Sequence, residues 1–187
     1  MPRTPCAHPM HRRTATGGVT LVEAALCLAL LSIVAAVALP ALGTLIERQR
    51  TVSAGHMLLT RLALARMTAI TRGAPAVLCP STDGVRCGDS SDWSGGWLLF
   101  LDPDGNRRPD QADDIVRAEN APPRHPLRLV GSSGRKQARY LPDGRSPGSN
   151  LTVAICNRKG ELLGSIIVNN AGRARSERPA RPAPCPG

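Results

Sequence analysis

Aromatic residues are almost absent from this 187-residue chain: two Trp, one Tyr and one Phe make up 2% of it. Trp93, Trp97, Phe100 and Tyr140 argue against a site that stacks bases on successive rings, and they leave the core to Leu, Val, Ile and Ala. Histidine is scarce as well, and beyond residue 18 only His56 and His125 remain. Neither has a partner pattern, and His56, like Met57, reads as a packing or surface residue. No metal-binding His pair, Cys/His nucleophile pattern or phosphate-cradling Gly loop of the Walker type is present. Ser and Asp are plentiful, yet no spacing singles out a triad. The inventory points away from catalysis, and no cofactor is implied.

Charge is plentiful but uneven. Lys and Arg number 24 against 14 Asp and Glu. Residues 1–18 carry Arg3, Arg12 and Arg13 and no acid. Residues 19–72 hold five basic and two acidic groups, residues 73–123 four and nine, and residues 124–187 twelve and three. Such asymmetry suggests a basic end that faces a polyanion, with plain solubility as the alternative.

One long apolar run stands out. From Val19 to Leu39 the only ionisable side chain besides Cys27 is Glu23, and about 20 such residues suffice to cross a bilayer as a helix. The three Arg before the run place the N-terminus on the cytoplasmic side. A secretory signal would end in a small-residue cleavage site. Ala41 and Ala54 are possible sites, but the run continues into a helical pattern and is expected to be retained. A carboxylate at membrane depth costs on the order of 2–3 kcal/mol and marks a function with a partner. Cutting the chain between Gly18 and Val19 would create that partner, an α-amino group one helical turn away. In a stack of such helices, one subunit's carboxylate meets a neighbour's amine.

Here the chain resembles the type IV pilin family. Gly18, Val19, Thr20, Leu21, Val22 and Glu23 follow its pattern of Gly, aromatic residue, Thr, Leu, aliphatic residue and Glu, with Val19 in place of the usual Phe. Pro40 falls where members commonly carry a helix-kinking proline. The resemblance implies that a prepilin peptidase in the inner membrane removes residues 1–18 and methylates Val19. It implies that Glu23 and Pro40 serve assembly, and that other pilins are the partners.

After Pro40, Leu45, Val52, Met57, Leu59, Leu62, Met67 and Ile70 recur at roughly helical intervals with Arg48, Arg50, Arg61, Arg66 and Arg72 among them. One helix is expected from about Val19 to Ile70, its second half packed on a globular domain and its end set by Gly73 and Pro75. Short strands follow at Pro75–Cys79, Gly96–Leu101, Asp114–Arg117, Leu127–Val130, Ala138–Leu141, Leu151–Asn157, Gly164–Asn169 and Ala171–Arg175. The segment Asn157–Gly160 looks like a hairpin turn. This is an α+β arrangement, a long N-terminal helix packed on antiparallel sheet. The expected divisions are a leader at 1–18, a membrane and filament-core helix at 19–45, its amphipathic half at 46–72, and a periplasmic β-rich domain with a basic tail at 73–187. The pieces Ala76–Cys87, Trp93–Asn106 and Gly164–Arg175 resemble the FimT/GspH branch of minor pilins and pseudopilins.

Cys6 leaves with the leader and Cys27 reads as a small packing residue in the apolar helix. The other four cysteines fit an oxidising periplasm. Three pairings are open. Cys79–Cys87, closing a short loop, and Cys156–Cys185, tying the tail to a strand, are favoured, each stabilising by roughly 2–4 kcal/mol. No ligand pair has zinc spacing. Asp102, Asp104, Asn106 and Asp110 alternate as calcium ligands do, but Gly105 stands fourth where an EF-hand needs Gly sixth. A solvated Asp-Pro-Asp-Gly-Asn turn is the favoured reading.

The basic end contains Gly172-Arg173-Ala174-Arg175. On a strand the two Arg project from one face about 6–7 Å apart, similar to phosphate spacing along a nucleic-acid strand, and guanidinium groups grip phosphate bidentately. In FimT-type minor pilins a Gly-Arg-x-Arg motif at this position is implicated in DNA uptake for transformation. The resemblance therefore implies DNA binding by Gly172, Arg173 and Arg175. The basic C-terminal third adds Arg178, Lys136 and Arg139 as expected supporting cations. The lack of a base-reading or stacking set makes the binding sequence-nonspecific, and a solvated basic tail is the alternative for the motif. The alternative is a pseudopilin of a type II secretion system that binds other pseudopilins only.

Overall fold

The computed structural model describes residues 18–120 and 127–186, apart from the side chains of residues 37, 40 and 41. The expected leader up to residue 17, and His125, lie outside the described residues. The chain divides into two compact units, Met1–Thr44 and Leu45–Gly187. Helix α1, Leu21–Arg72, contributes to both.

In the first unit, Thr20 caps the helix. Its Oγ1 accepts the Glu23 N–H at 3.2 Å, and its carbonyl accepts the Ala24 N–H at 3.0 Å. Thr at the cap and Glu at the third helical position form the Thr-x-x-Glu pattern that starts helices, and a carboxylate there suits the positive end of the helix dipole. Glu23 thus has a local role besides the one expected from its depth in the apolar run. The described side chains between Val19 and Leu42 are all exposed. Cys27, expected to pack, is free and exposed. Helix assignment continues through Pro40. Among the described residues no helix is long and apolar enough to cross a membrane, so the single span expected from the sequence finds no support there.

Among the described residues the second unit contains eight strands: β1 Ala76–Pro80, β2 Gly96–Leu101, β3 Ile115–Asn120, β4 Arg128–Gly131, β5 Ala138–Tyr140, β6 Leu151–Cys156, β7 Leu162–Val168 and β8 Ala174–Glu177. They pair antiparallel in two four-stranded sheets, β3-β2-β1-β5 and β4-β6-β7-β8. The α+β arrangement is the expected one, with two sheets under the helix. Gly73, at φ +62, stops the helix just past Arg72; a left-handed residue here is a common helix terminator. The expected hairpin at Asn157–Gly160 joins β6 to β7, with Asn157 Oδ1 accepting the N–H groups of Lys159 and Glu161, each at 3.0 Å.

The face that α1 buries differs from the expected one. Ala54, Leu58, Leu62, Ala65 and Ala69 are buried, whereas Leu45, Met57, Met67 and Ile70 are exposed. The buried spacing of four, four, three and four traces one stripe. Alanine lets the helix lie close to the sheets, and a search for large apolar residues passes over it. Against this stripe pack Leu78 and Leu99 of the first sheet, Val153, Ile155 and Ile166 of the second, and Trp93, Trp97 and Tyr140. Fully burying one such Leu contributes about 1.5–3 kcal/mol. Side chains alternate along β1 and β2, so Val77, Cys79, Leu98 and Phe100 form a second small cluster on the opposite face of the first sheet.

Candidate functional site

The Gly-Arg-x-Arg segment enters its strand through a tight turn. Gly172 donates its N–H to the Asn169 carbonyl at 2.9 Å, and Asn169 donates to the Arg173 carbonyl at 3.1 Å. Asn169 Oδ1 accepts the Arg173 N–H at 3.0 Å. Gly172 has φ +76, and a Cβ added there would lie 2.1 Å from the Gly144 carbonyl oxygen. Glycine is therefore required twice over, by the backbone conformation and by the passing chain. The expectation of a strand over Ala171–Arg175 is corrected: Ala171 and Gly172 belong to the turn, and β8 begins at Ala174. Arg173 stands one residue before the strand.

Arg173 and Arg175 are both exposed. Arg175, opposite Ile167 of β7, donates its Nε to Glu177 Oε1 at 2.7 Å, an ion pair whose side chains are 51% and 48% exposed. Screening at that exposure leaves such a pair worth about 0–1 kcal/mol. Arg178 follows β8 and lines a small cleft of about 100 Å³ beside Thr51 and His56 of α1. The tail beyond it folds back: Cys185 is bonded to Cys156, and the Cys185 N–H reaches the Gly160 carbonyl at 2.8 Å. Cys79 is bonded to Cys87, so both favoured pairs are formed.

Lys136 and Arg139 do not join Arg173 and Arg175. They line a separate open cleft of about 880 Å³ that also receives Arg86, Arg107, Arg108 and Arg135. Arg139 donates its Nε to Asp102 Oδ2 at 3.1 Å, and Asp102 is fully buried. Lys136 Nζ donates to the Asp89 carbonyl. The Arg135 guanidinium donates to the carbonyls of Gln137, Ser146 and Ser149 and, at 2.5 Å, to Ser146 Oγ. Burial, the largest influence, pushes its pKa below the usual arginine value. Arg107 is the only described non-glycine residue at positive φ, 64°, and its N–H is held by Asp102 Oδ1 at 2.9 Å. Sequence reasoning did not place Arg86, Arg107 and Arg108 in a site, because their segment is acidic when summed along the chain.

The acidic loop is satisfied from within. Asp104 and Asp110 accept from the Asn106 amide at 2.7 and 2.8 Å, while Asp114 Oδ2 caps the N–H groups of Asp110 and Gln111. Asp102 turns inward to Arg139. Among the described residues no group of three or more His, Cys, Asp or Glu is placed to hold a metal ion; of the suggested calcium ligands, Asp104 and Asp110 meet at the Asn106 amide, whereas Asp102 is paired with Arg139.

Two further groups bear on stability. Tyr140 is buried, and among the described residues its hydroxyl has no hydrogen-bond partner. Desolvation pushes its pKa up to about 12, against a smaller pull from Arg135 and Arg66. Asp83 moves the other way: the N–H groups of Arg86 and Val85 hold its carboxyl below the usual range.

Comparison with known proteins was made at three levels. Residues 54–172 match the family model described as type II transport protein GspH. The pilin-like protein PilA1 of Thermus thermophilus is 28% identical over 170 residues, covering 86% of this chain and 97% of PilA1. The crystal structure of the type IV minor pilin FimU of Pseudomonas aeruginosa superposes with a TM-score of 0.57 at 19% identity, covering 73% of this chain and 95% of FimU. At that identity the likeness is one of fold: the helix on antiparallel sheets is the pilin fold. A second FimU crystal form gives a TM-score of 0.53 at the same identity, over 70% of this chain and 95% of FimU.

Proposed function

The chain belongs to the GspH family of type IV minor pilins and pseudopilins, and from that membership we propose that it is a pilus subunit that holds DNA through its C-terminal arginines during uptake. Proteins of this kind assemble with other pilins in a filament. In our reading a prepilin peptidase cuts after Gly18 and methylates Val19. The apolar helix rests in the inner membrane with the β-rich domain in the periplasm, until the subunit is drawn into the filament. Glu23 then meets the ammonium of a neighbour. The exposure of Leu21, Leu26, Leu30 and Ile33 supports this reading, because such a surface needs lipid or other helices to cover it. The role is one of assembly and binding rather than catalysis.

One observation carries the DNA reading: Gly172 fixes a turn from which Arg173 and Arg175 emerge exposed. Contacts of this kind go to phosphate and carry no sequence information. The test is duplex retention by the full chain in non-ionic detergent, wild type against Arg173→Ala with Arg175→Ala. Losing two phosphate contacts should weaken retention by about tenfold at low salt. Equal retention removes the uptake reading.

The second reading is a pseudopilin of a type II secretion system, engaged only with other pseudopilins. It is favoured by the description of the matching family model and by the Glu177 carboxylate, which occupies Arg175.

A further inference from the structure

The 880 Å³ cleft collects six cations, Arg86, Arg107, Arg108, Arg135, Lys136 and Arg139, against one lining carboxylate, Asp89. Among the described residues, Arg139 alone of the six forms an ion pair, with Asp102. Asp83 lies near Arg86, and Asp104 and Asp110 sit on the neighbouring loop, where each holds Asn106. Arg135 and Lys136 are fixed by carbonyls, which orient a cation without cancelling its charge. Arg107 sits at positive φ with its N–H held by buried Asp102, and backbone of this kind gathers at functional sites. The walls come from four segments, at residues 86–89, 106–109, 133–139 and 147–149. One of them is closed by the Cys79–Cys87 bond.

We propose that this cleft is a second nucleic-acid site, separate from Arg173 and Arg175, that takes consecutive phosphates of a single strand. The inference rests on the nucleic-acid reading above. Unpaired guanidinium groups converging on one space select a ligand with several negative charges. A volume of about 880 Å³ accommodates several phosphodiester units of a single strand. No aromatic side chain lines the cleft, so bases are neither stacked nor read, and affinity comes from the backbone alone. A strand separated from a duplex held at Arg173 and Arg175 has a place to go on the same subunit.

The test uses the full chain in non-ionic detergent, with a fluorescent thymidine oligonucleotide as single strand and a duplex of equal length. Arg86→Ser with Arg108→Ser removes two exposed cations whose side chains make no hydrogen bond among the described residues, and an unchanged melting temperature verifies the fold. The account expects this variant to bind the oligonucleotide about tenfold more weakly while duplex retention changes less than about threefold. It expects the Arg173→Ala, Arg175→Ala variant to show the opposite order. Inorganic tripolyphosphate should displace the oligonucleotide from wild type. Unchanged oligonucleotide affinity in the Arg86/Arg108 variant, or no displacement by tripolyphosphate, overturns the cleft site, and duplex binding that still depends on Arg173 and Arg175 then leaves the uptake reading standing. Absence of all nucleic-acid binding by wild type overturns both.

Discussion

Arg175 and Glu177 face each other along β8, the guanidinium Nε 2.7 Å from the carboxylate Oε1. The motif arginine thus carries its own competitor for phosphate. Replacing the acid by its neutral isostere, Glu177→Gln, leaves the strand intact and frees Arg175. Duplex affinity at low salt should rise roughly two- to fivefold, with little change in thermal stability. A fall in affinity, measured by fluorescence anisotropy, contradicts a role for Arg175 in phosphate binding.

Gly172 is a backbone device rather than a contact. A methyl group at this position would strike the Gly144 carbonyl while forcing an L-residue to φ +76. Gly172→Ala should therefore destabilise the domain by about 2–4 kcal/mol and lower DNA retention even though both arginines remain. Denaturant unfolding gives the stability arm. An unchanged midpoint excludes the close approach of the two loops.

Arg139 was expected to touch DNA, but its Nε is committed to buried Asp102. Arg139→Ala leaves that carboxylate with the Arg107 N–H as its remaining described partner. A buried charge stripped of its ion-pair partner costs about 3–5 kcal/mol; the partial exposure of Arg139 puts the expectation at the lower end. Stability equal to wild type contradicts this structural role.

Tyr140 gives the molecule an alkaline limit. The unfolded phenol ionises near pH 10, whereas burial holds the native one neutral to about 12. Below pH 10 both states keep the proton and the advantage of the native state is whole. Between pH 10 and 12 the unfolded chain releases a proton that the native chain retains, so stability falls as pH rises, by roughly 2–3 kcal/mol across the window. Tyr140→Phe should remove that slope and, by deleting an unpaired hydroxyl, leave neutral-pH stability equal or slightly higher. Since this is the chain's only tyrosine, phenolate absorbance reports its ionisation directly. Ionisation of the native protein near pH 10 contradicts the buried environment.

Local chemistry made much of the fold legible in the sequence. Apolar periodicity and Gly73 located α1 to within two residues at each end, and Gly96–Leu101 was delimited by its flanking turns. Three features were not legible. Splitting of the strands into two sheets is a long-range pairing that no local pattern encodes. The buried face of α1 rests on Ala54, Ala65 and Ala69, whose small size matters only once the sheets are in place. The basic cleft brings Arg86, Arg107 and Arg108 from an acidic segment next to Arg135, so a charge count along the chain conceals it. Conversely, Arg173 and Arg175 announced themselves by spacing, yet the turn at Gly172 begins their strand later than alternation suggests.

The central claim is that nucleic acid is held through its phosphates, and its salt dependence is the most direct test. Duplex affinity of the full chain, measured between about 50 and 200 mM salt, should fall on a log–log plot with a slope of about −2 to −5, the release of a few counterions. The Arg173→Ala, Arg175→Ala variant should be shallower by about 2. A flat line for wild type, or identical slopes for the two proteins, would contradict the account.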